Sequence, residues 1–167
     1  MEDEDILTPE PLYKRMVQAS PAFSCGESEF GRDAADWICG NGYPTVKNEL
    51  NRGTRVWLYR NRANDYVGFG SLGEQRWLFG QSAQTIQLIP YVAVFAVYQG
   101  KPMTGLKYCY QIIDHVLDEA VKRASSFPLV GLSVHPDNHE AIYIYTKYGF
   151  VWVKNDRGLS RMLLSLR

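Results

Sequence analysis

The sequence predicts a single α/β domain, a mixed β-sheet flanked by helices. Two short β-rich segments, 55–60 and 66–72, are separated by "NRAND" and read as an antiparallel hairpin. A long amphipathic helix over 105–125 then leads into the continuous apolar segment 128–134. Because a helix of this length usually connects parallel strands, we expect one parallel crossover between residues 98 and 128, with residues 92–98 paired to 128–134.

Composition limits the class of protein. The 167 residues fit one domain, assigned to residues 1–167, and 18 basic side chains balance 18 acidic ones. A neutral chain has no overall field to attract nucleic acid or an anionic membrane, so neither partner is expected, while a homodimer stays open. Three irregularly spaced cysteines favour neither a disulfide framework nor a zinc cluster. With no signal-like or membrane-spanning segment, we expect a cytoplasmic protein without a metal.

The N-terminal half shows weaker patterns. Residues 10–19 and 27–39 have sequence patterns typical of helices. Residues 1–6 are acidic and are expected to fray. "RWLF" could extend the antiparallel strands past Gly73. The longest β-rich segment is 85–98, where Pro90 indicates a bulge or a break in the hydrogen-bond ladder.

The C-terminal part gives the clearest predictions. Apolar residues at helical spacing mark the 105–125 helix, and 128–134 has the composition of a strand buried on both faces. A short helix over 138–148 is predicted to begin at Asp137 or Asn138 and to end at Gly149. Two final strands, "FVWVK" and "SRMLLSL", complete the sheet.

The strand, turn and helix near the C-terminus can form a binding site. Parallel strands that splay apart leave a cleft at their C-terminal ends, where open α/β sheets bind ligands. Asn138 at the helix start could offer its amide to a linear ligand there, and Tyr145, two turns along, could direct its hydroxyl to the same place. The alternative is that Tyr143, Tyr145 and Tyr148 only pack, with solvated hydroxyls; we favour a function for Tyr145 alone.

The same stretch, "VHPDNHEAIYIYTKYGF", resembles the C-terminal signature of the GCN5-related N-acetyltransferases (the GNAT superfamily). The matching residues are Val134, Pro136, Asn138, Ala141, Tyr145, Gly149 and Phe150. The element order extends the resemblance over residues 20–167. It implies a V-splayed sheet, acetyl-CoA as acyl donor and a primary amine as acceptor.

The resemblance also implies where the cofactor would bind. In the family, backbone N–H groups at the start of the long helix hold the pyrophosphate, in the motif Arg/Gln-x-x-Gly-x-Gly/Ala. Gly105 would be its last glycine, while Met103 and Gly100 replace the other two motif residues, so we expect a loop of different shape. The residues predicted to bind here are Lys101, Thr104, Gly105, Leu106 and Lys107. The backbone of Phe95, Ala96 and Val97 is expected to pair with the pantetheine arm like an added strand.

The implied mechanism is direct attack of a neutral amine on the thioester. Backbone N–H groups of the strand would stabilise the oxyanion, and Tyr145 would protonate the departing thiolate. Glu74, Tyr91 or an ordered water could act as general base, and the sequence does not choose among them. Side chains of the N-terminal helices and of the 73–84 segment are predicted to line the acceptor site, with Glu74, Trp77 and Tyr91 as the named residues.

Several other residues in the sequence suggest different functions. Ser133, His135, Asp137 and His139 suggest a hydrolase or metal site, but Pro136 breaks their alternation and a solvated turn is favoured. Cys25 in "FSCG" is expected to be a small buried residue, not a nucleophile. "FSCG" followed by a helix with Trp37-Ile38 resembles the N-terminal region of acetyltransferase toxins that modify aminoacyl-tRNA. A non-catalytic CoA-binding or protein-interaction module on the same fold is the remaining alternative.

Overall fold

The computed structural model describes residues 5–13, 23–40, 45–99 and 102–167. The strands are β1 Thr8–Pro11, β2 Arg55–Arg60, β3 Tyr66–Phe79, β4 Ser82–Leu88, β5 Ala93–Val94, β6 Leu129–Val134, β7 Val151–Asp156 and β8 Leu159–Ser165. The helices are α1 Glu29–Cys39, α2 Val46–Asn51, α3 Ala96–Gln99, α4 Pro102–Val121 and α5 His139–Lys147.

The strands form one mixed sheet in the order β1-β2-β3-β4-β6-β8-β7, with β5 paired to β3 outside this path. The β4–β6 pair is parallel, and α4 provides the crossover between its strands. The predicted α/β class, the mixed sheet, the hairpin at 55–72 and the long helix are therefore confirmed. Within the described part of the chain, no helix has the length and apolar content to cross a membrane.

The chain divides into two compact units. Unit 1 comprises Met1–Ser71 and Tyr91–Leu117, and unit 2 comprises Leu72–Pro90 and Asp118–Arg167. Two elements contribute to both units, because β3 continues from the first into the second, as α4 does.

Helix α1 organises the core of unit 1. Ser28 caps its first turn by accepting a hydrogen bond from the Gly31 N–H at 3.1 Å, and Gly40 ends it in the left-handed conformation at φ 78°. Its buried residues, Trp37 and Ile38 among them, pack with side chains of β2 and β3 and with Leu12, which follows β1. The helix predicted over 27–39 is confirmed.

In the N-terminal region one prediction fails and one helix was missed. The first residues of the helix predicted over 10–19 belong instead to β1, which pairs antiparallel with β2 from Thr8↔Arg60 to Pro11↔Trp57, and residues 14–19 lie outside the described residues. Helix α2 was not predicted.

The acidic N-terminal segment is anchored at Asp5 instead of frayed, while residues 1–4 lie outside the described part. The Tyr108 hydroxyl donates to one Asp5 carboxylate oxygen at 2.7 Å, and the Arg62 N–H donates to the other at 2.9 Å. Gln111 continues this attachment, since its Nε2 donates to the Asp5 carbonyl at 3.0 Å and its Oε1 accepts from the Leu7 N–H at 2.9 Å. Asp5 and Leu7 are thereby attached to α4.

We expect this attachment to depend on pH at both extremes. The hydrogen bond from Tyr108, followed by that from the Arg62 backbone, lowers the pKa of Asp5 below 3.8. A lowered pKa stabilises the fold above about pH 3.8 and loses that contribution as the pH falls through the folded-state value. Burial, and then the bond to Asp5, raises the pKa of Tyr108 to about 12, so its contribution is present below about pH 10 and is lost as the pH rises through about 12.

The acid limb can be measured by thermal unfolding of wild type and Asp5→Asn between about pH 2 and 6. Wild type should be the more stable at pH 6, and the two melting temperatures should converge as the pH falls. A constant difference across this range would show that the Asp5 carboxylate does not titrate with folding.

The β-rich segment 85–98 is not one strand. Strand β4 ends at Leu88, the chain leaves the ladder through Pro90, and the two residues of β5 rejoin it against Gly68 and Phe69. The break predicted at Pro90 is confirmed, but the final residues form α3 instead of a strand. Valine and aromatic residues favour a strand locally, and here tertiary contacts override that preference.

Candidate functional site

Strands β4 and β6 of unit 2 pair over a short distance and then part. The parallel register is Gln87↔Val130 and Leu88↔Gly131, followed by one more bond from the Ile89 N–H to the Gly131 carbonyl at 3.0 Å. The next residue, Pro90, has no N–H to continue the ladder. The parallel pair therefore exists, but it lies at residues 87–88, not within 92–98 as predicted.

Beyond Gly131, β6 keeps a neighbour on one edge. Its last residues pair antiparallel with β8, from Leu132↔Met162 to Val134↔Ser160. Among the described residues of unit 2, no strand pairs with the other edge of this stretch. The backbone groups on that edge are therefore available to an extended ligand.

Gly131 lies at the point where β4 and β6 part, and the packing around it requires a glycine. A Cβ there would lie 2.5 Å from Ile86 Cδ1 and 2.7 Å from Trp77 Cη2, well inside contact distance. The Trp77 indole is 2% exposed, its Nε1 donates to Gln75 at 2.7 Å, and the Arg161 guanidinium lies 4.6 Å from the ring centre. Trp77 is thus a core residue under β6, and its predicted place on the lining of an acceptor site is wrong.

The turn after β6 leads directly into α5. Asn138 is the N-cap, with its Oδ1 accepting a hydrogen bond from the Ala141 N–H at 3.3 Å. This use of Oδ1 leaves the Nδ2 hydrogens as the donors that Asn138 can offer to a ligand. Gly149 follows the helix at φ 97°, a conformation that favours glycine. The helix predicted over 138–148 is confirmed, including its cap and its end.

Tyr145 occupies the last full turn of α5 and is half-buried. Its ring meets Phe150 edge-on with 5.5 Å between centroids, and its carbonyl accepts a hydrogen bond from the Phe150 N–H at 3.1 Å. Tyr143, in contrast, is 62% exposed with the Lys147 ammonium 5.1 Å from its ring centre, so it does not pack in a core as predicted. The turn and helix therefore hold the Tyr145 ring in one place.

Glu74, a candidate base, lies on β3 opposite Gln87 of β4. Its carboxylate forms an ion pair with Arg123, and both side chains remain partly exposed. A carboxylate already held by a guanidinium must give up a charge-assisted contact to receive a substrate amine. The ion pair therefore weakens the case for Glu74 as the general base.

In unit 1, the residues predicted to pair with pantetheine do not form a strand. Phe95 is 4% exposed and stacks on Phe23 with ring centres 4.3 Å apart. The Phe95 N–H donates to the Val67 carbonyl at 2.9 Å, and the Ala96 N–H donates to the Ser24 carbonyl at 2.7 Å. Ala96 and Val97 lie in α3. The predicted strand-like pairing through these three residues is therefore wrong.

The neighbouring strand β5 can make such a pairing. Phe95 and Ala93 direct their backbone groups towards β3, and Val92 and Val94, at the alternate positions, direct theirs towards the opposite edge. The Val94 carbonyl on that edge accepts from Gln99 Nε2 at 2.7 Å. The N–H of Val94 and the backbone of Val92 are the groups that could meet a ligand.

Ser71 of unit 1 holds the backbone of Tyr91 in the bend that precedes β5. This fully buried hydroxyl donates to the Tyr91 carbonyl at 2.6 Å and accepts from the Tyr91 N–H at 2.9 Å. The Tyr91 ring packs against Trp37 with 5.1 Å between centroids. Burial, and secondarily the charge of Asp33, raises the pKa of Tyr91 above 10, which disfavours the phenolate that a general base would need.

The start of α4 differs from the predicted loop. The helix already begins at Pro102, so Thr104, Gly105, Leu106 and Lys107 all lie within its first turns, and Lys101 lies outside the described residues. Gly105 is required by packing, since a Cβ there would lie 2.6 Å from the Tyr98 carbonyl oxygen. The first N–H groups of a helix have no partner within that helix, so those of Met103 and Thr104 are candidate donors for an anion.

Two further groups of residues were proposed as alternatives. The His135 Nδ1 accepts a hydrogen bond from the Asp137 N–H at 3.2 Å, which is turn geometry. Across residues 5–13, 23–40, 45–99 and 102–167, no three metal-ligating side chains come together. Burial, and then the neighbouring Cys39, raises the pKa of the Cys25 thiol to about 12, so Cys25 is poorly suited to act as a nucleophile.

A cavity of about 310 Å³ opens elsewhere in unit 1, and no residue predicted for the site lines it. Its lining residues are Pro11, Leu12, Tyr13, Leu50, Thr54, Arg55, Val56 and Trp57.

The sequence reasoning missed Ser71 and Gln99. Ser71 carries no motif, and its partner lies 20 residues away. The sequence did contain a signal for Gln99. If the pyrophosphate motif is aligned one residue earlier, Gln99 takes its leading Arg/Gln position, and Pro102 and Thr104 take the two glycine positions. The start of α4 at Pro102 is consistent with this earlier alignment of the motif.

Neither a protein-family model nor a curated protein matches the sequence. Solved structures do. AtaTR bound with acetyl-CoA superposes with a TM-score of 0.69 at 15% identity, over 98% of this chain and 95% of that one. The Tyr-to-Phe mutant of KacT gives 0.68 at 12% identity, over 96% and 95%. AtaT complexed with acetyl-methionyl-tRNAfMet gives 0.66 at 13% identity, over 95% and 94%.

The chain has the GNAT fold. The resemblance drawn from the C-terminal signature is thereby confirmed for the fold. In the GNAT fold of this chain, the signature residues Asn138, Tyr145 and Gly149 are the cap, a residue of the last turn and the end of α5.

Proposed function

We propose that the protein is an acetyl-CoA-dependent N-acetyltransferase that transfers the acetyl group to a primary amine. The observation that carries the proposal is the parting of β4 and β6 at Gly131, followed by the Asn138-capped helix that holds Tyr145. Strands of a GNAT fold that part in this way present backbone to a thioester. The neighbours with acetyl-CoA in their structures support the choice of acyl donor.

The chain offers suitable groups for each part of acetyl-CoA. The N–H groups of Met103 and Thr104 and the charge of Lys107 suit the phosphates, because a helix start attracts anions. Val97 and Met103 are 67% and 72% exposed, which gives apolar surface for a ligand to cover. The outward edge of β5, at Val92 and Val94, replaces the predicted Phe95–Val97 as the partner of the pantetheine amides.

In the transfer step, the amine nitrogen bonds to the acetyl carbon and the carbon–sulfur bond breaks. Backbone N–H groups on a strand edge would stabilise the negative charge that develops on the carbonyl oxygen. Tyr145 donates its hydroxyl proton to the thiolate, and the amine releases a proton to water. The Tyr145 phenolate then takes up a proton from water, which restores the acid. Because Glu74 is ion-paired and the pKa of Tyr91 is raised, we assign the role of base to water.

Acetyl-CoA should stabilise the protein. At a concentration about 100 times the dissociation constant, ligand linkage contributes about 2.7 kcal/mol, which raises the melting temperature by about 5–10 °C for a chain of this size. Differential scanning fluorimetry measures the shift. Lys107→Gln should reduce it, whereas Lys122→Gln, a charge change outside the first turns of α4, should not. No shift for wild type at millimolar acetyl-CoA would contradict the proposed function.

The second candidate acceptor is the amine of an aminoacyl-tRNA. Solved neighbours include AtaT with acetyl-methionyl-tRNAfMet and a KacTA–DNA complex, so the expectation that nucleic acid is not a partner lacks support. The C-terminal stretch also favours an anionic partner, with Lys147, Lys154, Arg157, Arg161 and Arg167 against one acidic residue, Asp156. Helix α1 argues the other way, because Glu29, Asp33 and Asp36 outnumber its single Arg32.

An acetyl-transfer screen decides between these acceptors. It would compare small amines, peptides and charged tRNA, with uncharged tRNA as the control that lacks the amine. Transfer to charged tRNA alone would select the second candidate. Acetyl-CoA binding without transfer to any amine would favour the non-catalytic module.

A further inference from the structure

Gln99 joins three parts of unit 1 with one side chain. Its Nε2 donates to the Cys25 carbonyl at 2.8 Å and to the Val94 carbonyl at 2.7 Å. Gln99 is the last residue of α3, Val94 is the last residue of β5, and Cys25 lies in the segment before α1. Both amide hydrogens are therefore used to tie a distant stretch of chain, 74 residues away, to the end of β5.

The segment Ser24–Gly26 is fitted closely against its neighbours. The Ser24 carbonyl accepts from the Ala96 N–H of α3 at 2.7 Å. A Cβ on Gly26 would lie 2.8 Å from Gln99 Oε1, and one on Gly31 in α1 would lie 2.3 Å from the Cys25 carbonyl oxygen. These contacts leave the segment little room to move independently of α3 or of the first turn of α1.

Helix α3 is in turn packed against the start of α4. The Tyr98 carbonyl lies so close to Gly105 that a Cβ there would approach it to 2.6 Å. A displacement of the first turn of α4 is therefore transmitted to α3, because densely packed backbone cannot absorb it. Within α3, the Ala96 N–H bonds to Ser24 and the Gln99 side chain bonds to Cys25.

We propose that Gln99 is a positioning residue that couples acetyl-CoA binding to the order of residues 24–31, the segment that leads into α1, one of the N-terminal helices predicted to line the acceptor site. This rests on the proposed function, in which the phosphates bind at the first turn of α4 and the pantetheine binds at the edge of β5. A ligand held at both places restrains α3 from its two ends. Gln99 extends that restraint to the start of α1, so that the acceptor binds to a segment whose ordering entropy has already been lost.

Hydrogen exchange tests the coupling without requiring turnover. In wild type, acetyl-CoA should slow amide exchange in residues 24–31 and in the first turns of α4. Gln99→Met keeps the length of the side chain but deletes both donors, and protection of 24–31 should fall by about 3- to 30-fold, the range for one or two neutral hydrogen bonds. Protection of α4 by the ligand should remain.

Gln111→Met is the matched control. Gln111 also makes two hydrogen bonds from α4 to a distant segment, to Asp5 and Leu7, but this segment lies before β1. It should leave ligand protection of 24–31 unchanged. Equal protection of 24–31 in wild type and Gln99→Met would overturn the proposal, as would an equal loss in Gln111→Met.

Kinetics provide the second readout once an acceptor is known. Gln99→Met should raise the acceptor KM by about 3- to 30-fold, with a much smaller change in kcat and in acetyl-CoA affinity. A purely structural role would lower the melting temperature of Gln99→Met and leave this KM unchanged. If wild type fails to bind acetyl-CoA, the proposed function fails; if it binds but residues 24–31 are not protected, only the coupling fails.

Discussion

Tyr145→Phe should lower turnover by about 10²–10⁴, the usual effect of deleting a general acid. The substitution keeps the ring that packs edge-on against Phe150 and removes only the hydroxyl. Acetyl-CoA affinity and stability should therefore change little, since about one partly exposed hydrogen bond is lost. Single-turnover rates with a known acceptor, together with calorimetric binding of acetyl-CoA, separate these effects.

The control is Tyr148→Phe, three residues further on at the C-cap of α5. It removes a hydroxyl of the same kind outside the proposed chemistry, and turnover should remain within about twofold. Wild-type turnover in Tyr145→Phe would assign Tyr145 to packing and leave the non-catalytic module as the better account. A pH–rate profile that loses its basic limb in Tyr145→Phe would add direct support for a titrating acid.

Gly131→Ala should be among the most destabilising single-methyl additions in unit 2. The new Cβ would meet Ile86 and the buried Trp77 ring at distances that require one of them to move. Overpacking of this kind costs about 1–3 kcal/mol, or about 2–12 °C in melting temperature for a chain of this size. Chemical denaturation measures the free energy directly.

Ser133→Ala is the control for this experiment, because Ser133 lies two residues along β6 and is exposed. It should be nearly neutral. If the Trp77 contact causes the loss, the double variant Gly131→Ala with Trp77→Leu should be more stable than the sum of the two single changes predicts. Strict additivity would assign the cost of Gly131→Ala to the contact with Ile86 or to the backbone instead.

The parts of the fold that could be predicted depend on neighbours in sequence. The apolar stripe of α4, the hairpin at 55–72, and the cap and end of α5 at Asn138 and Gly149 all follow from local periodicity or local turn chemistry. Tyr145 belongs to this group, because its place in the last turn of α5 follows from the same helical spacing.

The parts that failed depend on partners far along the chain. "AVFAVYQ" has strand-forming residues, yet Ala96 and Gln99 bond to Ser24 and Cys25, and the chain turns into α3. Trp77 was predicted to line the acceptor site, and its burial and its proximity to Gly131 show that it is a core residue. Glu74 likewise could not be known to pair with Arg123, 49 residues later.

The strand order of unit 2 has a consequence for biosynthesis. β8 lies between β6 and β7, although both precede it in the chain. During translation, the apolar strand β6 must therefore wait with an open edge until Leu159–Ser165 has emerged and inserted beside it. We expect a nascent chain that already contains Tyr145 but not yet β8 to be exposed to aggregation through this edge of β6.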